Sequence, residues 1–152
     1  MKFFRSVFSV VAAVVLVLVS VYPAAAWNSS GSDGSYGAST FGGTSFDVGE
    51  GVAVDSSGNV YTTGYFQGTV NFGAGNVTSA GNTDVFVTKL NASGAHQWTT
   101  TFGGTSSDYG FGVAVDSSGN VYTTGYFAGT VNFGAGNVTS AGSNDAFVTK
   151  LN

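Results

Sequence analysis

The sequence predicts an all-β fold of four-stranded antiparallel sheets stacked as blades, and three observations carry that expectation. Residues 40–91 and 101–152 align without a gap at an offset of 61 and agree at 45 of 52 positions. Each copy alternates apolar and polar residues with a period of two, interrupted by short turn-forming clusters. Beyond residue 26, no stretch carries apolar residues at helical spacing. The repeat weighs most, because a unit that cannot bury its apolar faces alone must stack on a neighbour of the same kind.

The first segment is an export address. Lys2 and Arg5 form a positive start, and residues 7–22 form an apolar run broken only by Ser9 and Ser20. Pro23 ends it, and Ala24-Ala25-Ala26 presents the small residues that a signal peptidase accepts. A signal-peptide helix over residues 1–26 is therefore expected, with cleavage before Trp27. The apolar run is shorter than the ~20 residues of a spanning helix, so no membrane span is expected after cleavage. Residues 27–39, rich in Ser and Gly, read as a linker or an outer strand.

The first repeat occupies residues 40–100. Gly51-Val52-Ala53-Val54-Asp55 alternates and reads as a strand, and Ser56-Ser57-Gly58-Asn59 as the hairpin turn that follows. Val60 to Phe66 is the second strand, with Tyr61, Thr63 and Tyr65 on one face. A short strand is expected over Thr69 to Phe72, then a polar loop, then a third strand from Asp84 to Leu90. Asn91-Ala92-Ser93-Gly94 is a second hairpin signal, leading into a fourth strand from His96 to Phe102. The second repeat, 101–152, is incomplete, lacking a run equivalent to the fourth strand.

Four antiparallel strands in ~60 residues is the size of one β-propeller blade. Blades pack on neighbours through both faces, which accounts for apolar residues on both sides of one strand. The residues that carry the pattern also resemble a known family. Asp84-Val85-Phe86-Val87-Thr88-Lys89-Leu90-Asn91, Trp98, Phe102-Gly103-Gly104, the run Gly112 to Tyr122 and Thr124-Gly125-Tyr126 are similar to the bacterial SBBP-type β-propeller repeat, and the hairpin resembles that of NHL-type repeats. The resemblance implies an exported propeller of modular surface proteins, and it implies no catalytic residues. Two blades do not close a ring, which takes about four to eight. The chain is thus expected to be the front of a longer array, or one of several chains that share strands as a homo-oligomer.

Composition narrows the function. Lys and Arg total 4 against 8 Asp and Glu; with the leader removed, only Lys89 and Lys150 oppose the acids. Nucleic acid is excluded as a partner, since its binding relies on cations that displace phosphate counterions. No cysteine means no thiolate metal site, disulfide or cysteine nucleophile. His96 is the single histidine and lacks the partners that a triad or zinc site requires. No cofactor is expected, and a hydrolase or lyase is the least favoured reading.

Some residues remain as binding candidates. Asp47 and Asp108 stand in repeated Gly-Gly-Thr-Ser-x-Asp loops, where they would meet a ligand or hold the loop through backbone amides. Tyr65, Tyr109, Tyr126 and Trp98 offer aromatic faces for a sugar or a protein, or fill the space between blades. Asp55 with Asn59, and Asp116 with Asn120, have the i, i+4 oxygen spacing of a calcium loop. The glutamate that would complete such a loop is replaced by Phe66 and Phe127, so turn capping explains them more simply. The expectation is a non-enzymatic binding or interaction module at the cell surface, its protein or carbohydrate ligand unidentified. A lectin formed by oligomerisation of two-blade chains is the alternative.

Overall fold

The computed structural model describes residues 37–152; the expected signal-peptide helix and residues 27–36 lie outside them. The described residues form eleven strands and no helix. In the first repeat these are β1 (Asp47–Val54), β2 (Val60–Phe66), β3 (Thr69–Asn71), β4 (Asn76–Thr78), β5 (Asp84–Leu90) and β6 (His96–Phe102). The second repeat gives β7 (Tyr109–Val115), β8 (Val121–Phe127), β9 (Thr130–Asn132), β10 (Asn137–Thr139) and β11 (Asp145–Leu151). Blade 1 is a four-stranded antiparallel sheet ordered β1-β2-β5-β6, and blade 2 a three-stranded one ordered β7-β8-β11. The described residues close no ring.

The second, third and fourth strands have the bounds that alternation predicts. The first begins at Asp47 rather than Gly51, because a β-bulge between Gly49 and Gly51 interrupts the period of two. The expected polar loop contains β4, which folds back on β3 as a small hairpin beside the blade. Phe72 does not continue β3; it turns into the core instead, 2% exposed.

Turn chemistry fixes the register of each hairpin. Gly58 and Gly119 take φ of 80° and 85°, which other residues adopt only under strain. Gly64 and Gly125 are required for a different reason. A Cβ at Gly64 would stand 1.9 Å from the carbonyl oxygen of Val48, and one at Gly125 1.8 Å from that of Tyr109, so the bulge can form only over glycine.

Both blades are built round the same phenylalanines. In blade 1, Phe72 packs on Phe66 at 5.5 Å and on Phe86 at 4.8 Å. In blade 2, Phe133 packs on Phe127 at 5.2 Å and on Phe147 at 4.8 Å. A fourth ring comes from the segment before each blade. Phe102, at the end of β6, lies 5.8 Å from Phe133 at 41°, and Phe41 lies 5.8 Å from Phe72 at 42°. Burying one such side chain contributes about 1.5–3 kcal/mol, so this ring ties each period to the next.

The blades meet face to face. Tyr61, Val85 and Val87 of blade 1 share one buried cluster with Val121, Phe127 and Phe147 of blade 2, and Val113 and Val115 pack against it. The hydroxyls of Thr63 and Thr123 hydrogen-bond across the seam at 3.1 Å. Asp108 N–H donates to the Thr83 carbonyl at 2.8 Å, and the Asn82 side-chain amide donates to Ser107 Oγ at 3.0 Å.

Candidate functional site

The repeated acids serve the loops in which they stand. The Asp108 carboxylate, 1% exposed, accepts from Gly104 N–H at 2.8 Å through one oxygen and from Ala128 N–H at 3.0 Å through the other. Asp47 accepts from Gly43 N–H at 2.7 Å, and its second oxygen is buried without a partner among the described residues. Asp84 and Asp145 each close a loop in the same way, on Ala80 and Ala141 N–H. Burial raises the Asp84 carboxyl above its ordinary value; the Ala80 N–H opposes that shift, and the negative charge of Asp108 adds to it. A candidate ligand role for Asp47 and Asp108 therefore competes with their role as loop closures.

The oxygens at calcium-type spacing are likewise occupied by their own turns. Asp55 Oδ1 accepts from Ser57 and Asn59 N–H at 2.9 and 3.0 Å, while Oδ2 accepts from Asn59 Nδ2 at 2.8 Å and the Tyr61 hydroxyl at 3.0 Å. Asp116 repeats these four bonds with Ser118, Asn120 and Tyr122 at 2.7–3.1 Å. The bonds from Asn59 hold the Asp55 carboxyl down at about 2, with help from Tyr61 and Ser57 against desolvation. No group of three or more His, Cys, Asp or Glu placed to hold a metal occurs among the described residues. His96 pairs with the Thr99 hydroxyl at 2.9 Å.

The tyrosines behave differently, because the seam gathers them. Tyr65 from β2 meets Tyr109 from β7 edge to face at 4.6 Å, and Tyr109 meets its cross-strand neighbour Tyr126 on β8 at 4.9 Å. Phe111 completes the cluster, 5.5 Å from Tyr126 and 6.4 Å from Tyr109, with 45% of its surface exposed. Such edge-to-face and tilted pairs contribute about 0.5–1.5 kcal/mol each beyond area burial. None of the three phenol hydroxyls is hydrogen-bonded among the described residues. Burial, with the nearby phenols of Tyr109 and Tyr65, raises the Tyr126 hydroxyl above its ordinary value. The cluster thus presents half-buried rings and hydroxyls with no partner among the described residues, a combination suited to an amphipathic ligand.

Trp98 stands apart from this cluster. It lies on β6, packs against the interblade core and sits 6.2 Å from the Tyr61 ring. Phe111 was not among the candidates from sequence. Its signal was available, since Glu50/Phe111 and Val48/Tyr109 are two of the seven positions at which the repeats differ.

Those seven differences have a common location. Ser107, Asn82 and Thr83 touch one another across the seam; Tyr109 reaches Tyr65, and Phe111 stacks on Tyr109. Val85 lies under Gly110 of blade 2, and Gln67 Nε2 donates to Asn82 Oδ1 at 2.6 Å. At every position where the repeats diverge, one member of the pair is at this seam or bonded to a residue that is.

Comparison with known proteins agrees with this architecture. No curated protein matches the chain. The family model described as a beta-propeller repeat, SBBP, matches it twice, over residues 37–65 and 97–126. Each match runs from the strand or segment that precedes a blade through that blade's first hairpin, at the spacing of the internal repeat. The chain thus carries two copies of the SBBP β-propeller repeat, one at the start of each blade.

Proposed function

We propose that the chain is an exported, non-enzymatic binding module of the cell surface, and that its contact surface is the Tyr65–Tyr109–Phe111–Tyr126 cluster at the seam. The observation that carries this reading is the contrast between the acids and the tyrosines. The carboxylates of Asp55 and Asp116 each accept four bonds from their own turns and Asp108 is buried on two loop amides, whereas the three clustered phenols have no hydrogen bond among the described residues and lie on partly exposed rings. Export is read from the leader in residues 1–26. Rigid strands hold the rings in place, so little ordering entropy opposes binding.

Phenols without a partner among the described residues favour carbohydrate over protein as the ligand. Pyranose rings expose C–H faces that stack on aromatic rings, and their hydroxyls would meet the phenols at the edge. A glycan array probed with labelled chain tests this. Bound glycans should be lost from the Tyr109→Val variant, whose new residue is the one that repeat 1 carries at that position and so suits the fold. Equal binding by the variant would remove the cluster from the site. No bound glycan at all would remove the lectin reading and leave a protein ligand.

A further inference from the structure

We infer that the two outer faces of the blade pair bind each other in different copies of this chain, so that it assembles head to tail. The seam already inside the molecule sets the pattern. There, one face of blade 1, carrying Tyr61, Thr63 and Val87, covers the opposite face of blade 2, carrying Val113, Val115 and Thr123. Because the sequence repeats at an offset of 61, both surfaces occur a second time. Tyr122, Thr124 and Val148 on the outer face of blade 2 match the covering set, and Val52, Val54 and Thr62 on the outer face of blade 1 match the covered set.

These outer faces are apolar and open. Val148 is 76% exposed where its counterpart Val87 is fully buried, and Val52 and Val54 are 68% and 59% exposed. Shallow hollows mark both places, one lined by Ala114, Tyr122 and Val148, the other by Gly51, Val52 and Thr62. The surfaces are complementary to each other and not to themselves. Pairing them is therefore heterologous, a geometry that closes rings when the rotation allows. Rings of roughly four to eight blades would take about two to four copies.

Two further observations name a second copy as the occupant. First, Phe41 meets Phe72 with the distance and tilt that Phe102 shows toward Phe133. Residues 37–41 thus enter blade 1 as β6 enters blade 2, and β6 pairs with β5 through Phe102↔Val85 and Thr100↔Val87. Transposed by 61, Phe41 and Ser39 of one copy fall opposite Ala146 and Val148 on β11 of the next, completing the three-stranded blade. Second, Ser107 faces Asn82 and Thr83 at the internal seam. The matching residues outside are Phe46, 76% exposed, and Ser143 and Asn144, so a large ring stands opposite a side chain smaller than Asn82.

Light scattering after size exclusion of the chain and two variants tests the inference. Val52→Glu and Val148→Glu each place a charge on one outer face, at positions exposed in the single chain; circular dichroism should show both folded. The unsubstituted chain should elute at a multiple of the chain mass, and each variant alone at the mass of one chain. Mixed together, the variants should form a one-to-one dimer, because each keeps the face that the other has lost. In addition, oxidising a mixture of Ser39→Cys and Val148→Cys chains should join the two kinds. A single-chain mass for the unsubstituted protein would overturn the inference. So would either glutamate variant assembling alone, which would mean that like faces pair.

Discussion

Val87 and Val148 hold the same place in the two repeats, between Phe and Thr on the same strand, yet the first is fully buried and the second 76% exposed. The same holds for Thr63 and Thr124: each donates to the carbonyl of its own blade's Phe, Phe86 or Phe147, but only Thr63 also meets the other blade. Local structure is thus a property of the repeat, while burial is a property of its neighbour. Hairpins, bulges and the phenylalanine core form alike in both blades because their causes lie within one period. What differs is what each blade receives: blade 1 alone has a fourth strand, and the two blades are covered on opposite faces.

The largest contrast lies in the phenylalanine cores. Phe72 is 2% exposed among Phe41, Phe66 and Phe86, whereas Phe133 has the same ring neighbours but remains only half-buried. Phe72→Ala should cost about 4 kcal/mol and Phe133→Ala distinctly less, read from denaturant midpoints at constant slope. Equal losses would mean that the covering of blade 1 adds nothing to its core. The loop acids give the next largest contrast, with the order reversed. Asp108→Ala leaves two amides unpaired in a buried site and should cost about 3 kcal/mol, against about half that for Asp47→Ala, which frees one. Smaller again is the pair that opened the comparison. Val87→Ala should cost about 2 kcal/mol and Val148→Ala less than about 0.5 in the single chain. In an assembled chain, the Val148 change should additionally lower the concentration stability of the oligomer.

The strands and turns were legible in the sequence because they depend on neighbours a few residues apart. Asp55 to Asn59 reads as a hairpin turn, and its carboxylate bonds the Ser57 and Asn59 amides as such turns do. β4 is not legible, since Asn76-Val77-Thr78 holds a single apolar residue, whereas Val70 and Phe72, two apart, mark β3. The start of β1 was hidden by the bulge that Gly64 accommodates. The tyrosine cluster was half legible. Residue type alone points to Tyr65, Tyr109 and Tyr126, but their meeting depends on the angle between blades, which no local pattern encodes. Trp98 has the same chemistry and is directed elsewhere by β6.

The carboxylates provide the finest contrast, because turn and core move them in opposite directions. Asp55 falls from 3.8 to about 2 through the Asn59 bonds, and Asp116 is lowered by the matching bonds of Asn120. The Asp55 contribution to stability is present above 3.8 and fades as pH falls toward about 2, since the unfolded chain then binds the proton first; that of Asp116 has the same sign. Asp84 is raised by burial, so the sign is inverted: its contribution is fully present below 3.8 and is lost as pH rises through its folded value. Unfolding midpoints followed from pH 7 downward should therefore separate the two. Asp55→Asn should flatten the decline of stability below 3.8, whereas Asp84→Asn should make the protein more stable relative to the parent at neutral pH than in acid. If the Asp84→Asn curve ran parallel to the parent curve throughout, the Asp84 carboxyl would carry no burial penalty. The Asp84 oxygen beside Gly103, without a partner among the described residues, would then have to be solvated in the folded chain.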